Sequence, residues 1–137
     1  MAENDIHHVT IRNVTGFSAG GHHIVRFLNA SGVRLYDVEL ENLLDTTPPE
    51  GFRCQEALRI GDCNQAWGGV TPLGDTFNIK VKNVCSRATR AVAVFGSLTD
   101  SEISDVINQN PENPAFVPAS GEENIRNVKV DGLFDMK

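Results

Sequence analysis

Long apolar runs are missing from this chain of 137 residues. The longest is a few residues, against the roughly 20 that a membrane helix needs, so no membrane association is expected. The opening MAENDIHH has neither the basic start nor the apolar stretch of an export signal. The compartment is therefore open, and an extracytoplasmic one fits if the chain is part of a longer exported protein. Basic residues are in deficit, 12 Lys and Arg against 18 Asp and Glu, for a formal net charge of -6. With no basic stripe to meet phosphates, no nucleic acid partner is expected. Cysteine is scarce: Cys54, Cys63 and Cys85 are odd in number and form no C-x-x-C pair, which excludes a zinc knuckle and a full disulfide framework. Buried thiols are expected, with a Cys54 to Cys63 bridge open to an exported protein. SAGGHH lacks the spacing and the following helix of a phosphate loop. Helical periodicity is absent as well.

What the chain does contain is a repeat. HHVTIRNVTGF, SGVRLYDVELE, TFNIKVKNVCS, DSEISDVINQN and IRNVKVDGLFD share an apolar-x-apolar-x-polar-apolar core. Their aligned first positions are Val9, Val33, Ile79, Ser101 and Val128, spaced by 24, 46, 22 and 27 residues, with the 46 read as two periods of 23. A fainter apolar run precedes most copies: IVRFLNA, ALRIGDC, AVAVFGS and AFVPAS. Each period thus holds two short runs with strand alternation, separated by Gly, Asn, Asp and Ser. Such units cannot close a core singly; stacked, they pair in parallel at about 4.8 Å and bury a common axis.

The expected architecture is all-β, a single parallel β-helix domain over residues 1–137 of about five coils of 22–24 residues with inserted loops. Its inward set is Val9, Ile11, Val14; Val33, Leu35, Val38; Ile79, Val81, Val84; Ile103, Val106; and Val128, Val130, Leu133. Asn13, Asp37, Asn83, Asp105 and Gly132 precede the last apolar position, one per coil. These types tolerate the left-handed conformation, and their side chains can form a ladder.

The apolar-x-apolar-x-Asn-Val rhythm resembles the right-handed parallel β-helix of the pectin lyase-like superfamily, nearest to its polygalacturonases. GHH at 21–23 resembles the G-H-G motif of those enzymes, and RIG at 59–61 resembles R-I-K one coil later. The resemblance implies that His22 assists catalytic acids and that Arg59 grips a galacturonate carboxylate. His23 and Gly61 depart from the motifs, and the coils that carry the family's catalytic acids would precede Met1. Whether the chain is an enzyme stays uncertain, since hydrolysis of a glycosidic bond needs two placed carboxyl groups and no such pair is evident.

Strand parity adds a patch of its own. His22, Ile24 and Arg26 align with Gln55, Ala57 and Arg59, all facing outward, with Val25, Phe27, Leu58 and Ile60 inward. Glu56 is the natural partner of Arg59 or Arg90. Trp67, beside Gly68 and Gly69 in the insertion 64–76, offers a flat indole to a sugar ring or folds back on the solenoid wall. The expected substrate-binding set is His22, Arg26, Arg59 and Trp67, and the expected ligand is an acidic polysaccharide or oligosaccharide. No cofactor or metal is expected: Asp45, Glu50, Asp62 and Asp75 do not cluster as calcium ligands, and His7 and His8 lack a spaced partner.

Solenoid ends expose strand edges unless capped. Neither terminus reads as a cap, so either the chain is a fragment of a longer solenoid or its ends are covered by another copy; the second makes a homo-oligomer joined through its ends the other expectation, a structural, self-assembling module without glycan activity.

Overall fold

The computed structural model describes residues 5–17, 23–29, 32–47, 56–61, 71–87, 90–109 and 114–135. Their strands form two parallel sheets. The long sheet contains β1 (Ile6–Gly16), β3 (Leu35–Asp45), β5 (Thr76–Ser86), β7 (Leu98–Asn108) and β9 (Ile125–Asp135), in that order. The short sheet contains β2 (Val25–Phe27), β4 (Glu56–Ile60), β6 (Arg90–Val94) and β8 (Phe116–Pro118), also in chain order. Successive strands alternate between the sheets, so the chain winds as a β-solenoid of four to five coils. The one helical element among the described residues is a 3-10 turn at Glu122–Asn124.

Each long strand is 11 residues and is bent twice. Asp37 and Asn42 in β3 have φ of 54° and 59°, and Asn78 and Asn83 in β5 have 50° and 61°. The same two positions are left-handed in β1 (His8, Asn13), β7 (Asp100, Asp105) and β9 (Asn127, Gly132). Only short polar side chains and Gly adopt this conformation readily. The expected ladder is therefore real but double. In one row Asn42 Nδ2 donates to Asn13 Oδ1 at 2.9 Å and Asn83 Nδ2 to Asn42 Oδ1 at 2.7 Å. In the other, Asn78 Nδ2 donates to Asp37 Oδ1 at 2.5 Å and Asn127 Nδ2 to Asp100 Oδ1 at 2.6 Å. Asp37 belongs to this second row, not to the row of Asn13 and Asn83. Gly132 ends the first row because an added Cβ would lie 2.7 Å from Asp105 Oδ1 and 2.9 Å from Asp105 N.

The register corrects one alignment. Val9 pairs with Val38, not Val33, and Val38 with Ile79. The bends explain the slip. They divide the strand into five-residue units of one kind, and GVRLY, DVELE and NLLDT are three such units in succession, so a shift of five residues preserves the pattern. Because β3 pairs directly with β5, the interval between them is one coil, not two, and β4 is its strand among the described residues. Its extra length lies in segments around β4 that fall outside the described residues.

Leu35, Val38, Leu40, Leu43, Ile79, Val81, Val84, Ile103 and Val106 are buried, facing Leu58, Ile60, Val92 and Val94 of the short sheet. Burying each such side chain contributes about 1.5–3 kcal/mol. Val9, Ile11, Val14, Val128 and Val130 pack on this core but are only partly buried, and Leu133, expected inside, is 43% exposed. All six lie on β1 or β9, where a second neighbouring strand is missing among the described residues.

Candidate functional site

Arg26 pairs directly with Arg59 across β2 and β4, flanked by Val25 with Leu58 and Phe27 with Ile60. The expected alignment holds, and the four apolar residues are buried. Carrying the alternation two residues back from Val25 and Leu58 brings His23 level with Glu56, and Glu56 pairs with Arg90 on β6. A polar column of His23, Glu56 and Arg90 therefore starts the short sheet, on the same parity as the core.

Glu56 is its centre. The side chain is 0% exposed, with Oε1 3.3 Å from His23 Nδ1 and 3.7 Å from Arg59 Nη1, and Oε2 4.0 Å from Arg90 Nη1. These are contact distances, and neither carboxylate oxygen has a hydrogen-bond partner among the described residues. Burial pushes the Glu56 carboxyl above its ordinary value of 4.5, and Arg59, Arg90 and Arg26 only partly pull it back. Removing a carboxylate from water outweighs even several nearby cations when hydrogen bonds are absent.

Arg59 is held from its other side. Its guanidinium carbon lies 3.8 Å from the centre of the Phe95 ring, and its side chain is 12% exposed. Phe95 is fixed by its backbone: its N–H donates to the Ile60 carbonyl at 2.8 Å, while the Gly61 N–H donates to Phe27 at 3.0 Å. A Cβ at Gly61 would meet Phe95 O at 2.0 Å. Gly61 is thus dictated by the next coil, which leaves no space for a side chain. Arg26 is exposed, and the Arg90 side chain is 38% exposed.

Of the expected binding residues, the structure brings Arg26 and Arg59 together; His22 and Trp67 lie outside the described residues. Glu56 is the partner of both Arg59 and Arg90. His23 was missed by reading the histidine pair for its outward member alone; the two-residue step back from Val25 was the available signal. Cys54, Cys63, Glu50 and Asp62 also fall outside. Asp45 is buried and accepts from Thr47 N–H at 3.0 Å, Thr47 Oγ1 at 2.6 Å and Ser86 Oγ at 3.1 Å, a structural role at the corner after β3. Asp75 accepts from Gly32 N–H at 3.0 Å. Among the described residues no three His, Cys, Asp or Glu side chains gather as metal ligands, and no helix is long and apolar enough to cross a membrane.

The outer face of the long sheet is laid out in rows. His7, Tyr36 and Phe77 stack with ring centres 4.9 Å apart at each step and planes within 8°. Tyr36 is sandwiched with both ring faces covered, while His7 and Phe77 each give one face to the stack. Two further rows read Thr10, Glu39, Lys80, Glu102, Lys129 and Arg12, Glu41, Lys82, Ser104, Asp131. Charge alternates from coil to coil, so cross-strand neighbours attract. Arg12, for example, is 3.6 Å from both Glu39 and Glu41.

The chain matches no protein-family model, and neither a curated protein nor a solved structure matches it.

Proposed function

We propose that this chain is a rigid β-solenoid interaction module, built to assemble rather than to catalyse. The observation that carries this reading is the pair of full-length long-sheet strands, β1 and β9, each hydrogen-bonded on one side only among the described residues. An 11-residue strand edge is a template for another strand. The polar groups that most resemble a reaction centre are engaged with one another: Glu56 is met by His23, Arg59 and Arg90, and Arg59 is closed between Glu56 and Phe95. Aromatic faces suited to a sugar ring are stacked on each other along the solenoid.

One observation favours a second reading, the acidic-glycan binding suggested by the polygalacturonase resemblance. Among the described residues three arginines, Arg26, Arg59 and Arg90, act on a single carboxylate, and Arg26 is exposed, placed to meet a ligand carboxylate by its bidentate fork. Sedimentation velocity over a range of protein concentrations, with and without oligogalacturonate, separates the two. Association that grows with protein concentration and ignores the glycan supports the module. A monomer that binds oligogalacturonate, and loses it in Arg26→Ala, overturns it in favour of the glycan reading.

A further inference from the structure

We propose that the partner of this module is a second copy of the same chain, stacked head to tail so that the outer edge of β9 pairs in parallel with the outer edge of β1 of the next copy. The inference rests on the interaction-module reading and adds to it the occupant, the register and the polarity of the contact.

Three features of the two edges fit one another. The first is the core. Following the columns that run through all five long strands, Ile125, Val128, Val130 and Leu133 would face Ile6, Val9, Ile11 and Val14 of the next copy. These are the apolar residues left partly open at the two ends, and each would gain the neighbouring coil that the central strands already have. The bends coincide too, since both strands turn left-handed at the third and eighth positions, Asn127 and Gly132 in one and His8 and Asn13 in the other. A shift of five residues would also set bend on bend but would pair only about half of each strand, and any other shift would set a bend against a straight step.

Charge is the second feature. In this register Asp131 falls opposite Arg12, so the row Arg12, Glu41, Lys82, Ser104, Asp131 continues into the next copy with its alternation of sign unbroken. Lys129 falls opposite the neutral Thr10, and no acidic residue meets another. The third feature is aromatic. Phe17 and Phe134 are the two most exposed large apolar side chains described, at 65% and 58%. They sit at opposite ends of the solenoid, each at the C-terminal end of its long strand, and stacking brings Phe134 next to Thr15, diagonally across from Phe17, within the reach of an aromatic side chain.

The short sheet takes a smaller part. Its last strand, β8, ends on Pro118, which has no N–H to offer a further strand. The contact is thus carried by the long sheet, and because the two surfaces differ it is heterologous: stacking leaves an unused β1 edge at one end and an unused β9 edge at the other, so growth is open-ended.

Charge-swap variants test this on the whole chain by sedimentation velocity, with circular dichroism confirming that each variant keeps its strands. The wild type is expected to form a concentration-dependent series of species beyond the dimer. Asp131→Arg sets a second guanidinium against Arg12 and is expected to weaken association about tenfold; Arg12→Asp sets two carboxylates together and is expected to do the same. Head-to-tail contact makes a distinctive demand: the double variant Arg12→Asp with Asp131→Arg recovers association, and so does a mixture of the two single variants. Association that stops at a dimer, or that is weakened by the single variants without recovery in either combination, overturns the head-to-tail register while leaving the module reading in place. A chain that stays monomeric at its solubility limit overturns the inference itself, and if it also binds oligogalacturonate the module reading falls with it.

Discussion

The guanidinium carbon of Arg59 sits 3.8 Å from the centre of the Phe95 ring on the coil above, so a charge that the sequence directs outward is roofed by an aromatic side chain. A cation over a ring in a site closed to water is worth about 1–2 kcal/mol. Phe95→Leu keeps most of the apolar cover and removes the ring. It is expected to cost that amount in urea denaturation when Arg59 is present, and clearly less in an Arg59→Met background. Equal costs in the two backgrounds would show that Phe95 acts through packing alone.

Glu56 predicts a pH dependence. Burial raises its folded-state pKa above the ordinary 4.5, so the folded protein holds the Glu56 proton more tightly than the unfolded chain does. The resulting stabilisation is fully present below about pH 4.5 and is lost as pH rises through the folded-state value. Other carboxylates titrate over the same range, so the informative quantity is the difference in Tm between wild type and Glu56→Gln. It is expected to favour the wild type most in acid and to decline toward neutrality. A difference that grows with pH would mean that Arg59, Arg90 and Arg26 together outweigh desolvation.

The middle of the Asn ladder separates a backbone effect from a side-chain one. Asn83 has φ of 61° and donates to Asn42 at 2.7 Å. Asn83→Gly removes the exposed hydrogen bond but keeps the bend, whereas Asn83→Ala removes both. The left-handed conformation costs a residue with a Cβ about 1–2 kcal/mol. Thermal denaturation is expected to rank wild type above Gly and Gly above Ala, with a gap of about 1 kcal/mol between the last two. If Ala is the better tolerated, the ladder is held by side-chain contacts and not by backbone preference.

Much of this architecture was legible because a solenoid writes its rules in sequence. Val25, Phe27, Leu58 and Ile60 alternate with Arg26 and Arg59, and two-residue alternation has one meaning when one side of a strand is buried. Glu56 was readable as a partner of Arg59 or Arg90 from its place beside the arginine patch, though alternation alone puts it on the inward side. What could not be read was register between coils. A bend every five residues gives each strand internal self-similarity, so hydrophobic pattern alone does not distinguish Val33 from Val38 as the neighbour of Val9. Pairing is then decided by the whole coil: its loop lengths and the stacking of Tyr36 between His7 and Phe77. Nor does parity reveal depth. Ala57 and Ala93 alternate outward and yet are fully buried, and Arg59 is largely covered, because local pattern records which way a residue faces but not what lies over it.

The register itself is open to a direct test at Val33 and Val38. Both residues follow a left-handed position, Gly32 at φ 88° and Asp37 at φ 54°, and both begin an apolar-x-apolar pair, so by sequence they are equivalent. In the structure Val38 is 1% exposed between Val9 and Ile79, while Val33 precedes β3 and is only partly buried. Truncating a fully buried valine removes two methyl groups and leaves a cavity between rigid coils, a loss of about 2 kcal/mol. Val38→Ala is expected to show that cost in chemical denaturation, and Val33→Ala less than about half of it, since a partly exposed side chain gives up less transfer energy and leaves a gap open to water. The reverse order would place β3 five residues out of register, and would dissolve with it the charge rows and the match between β9 and β1.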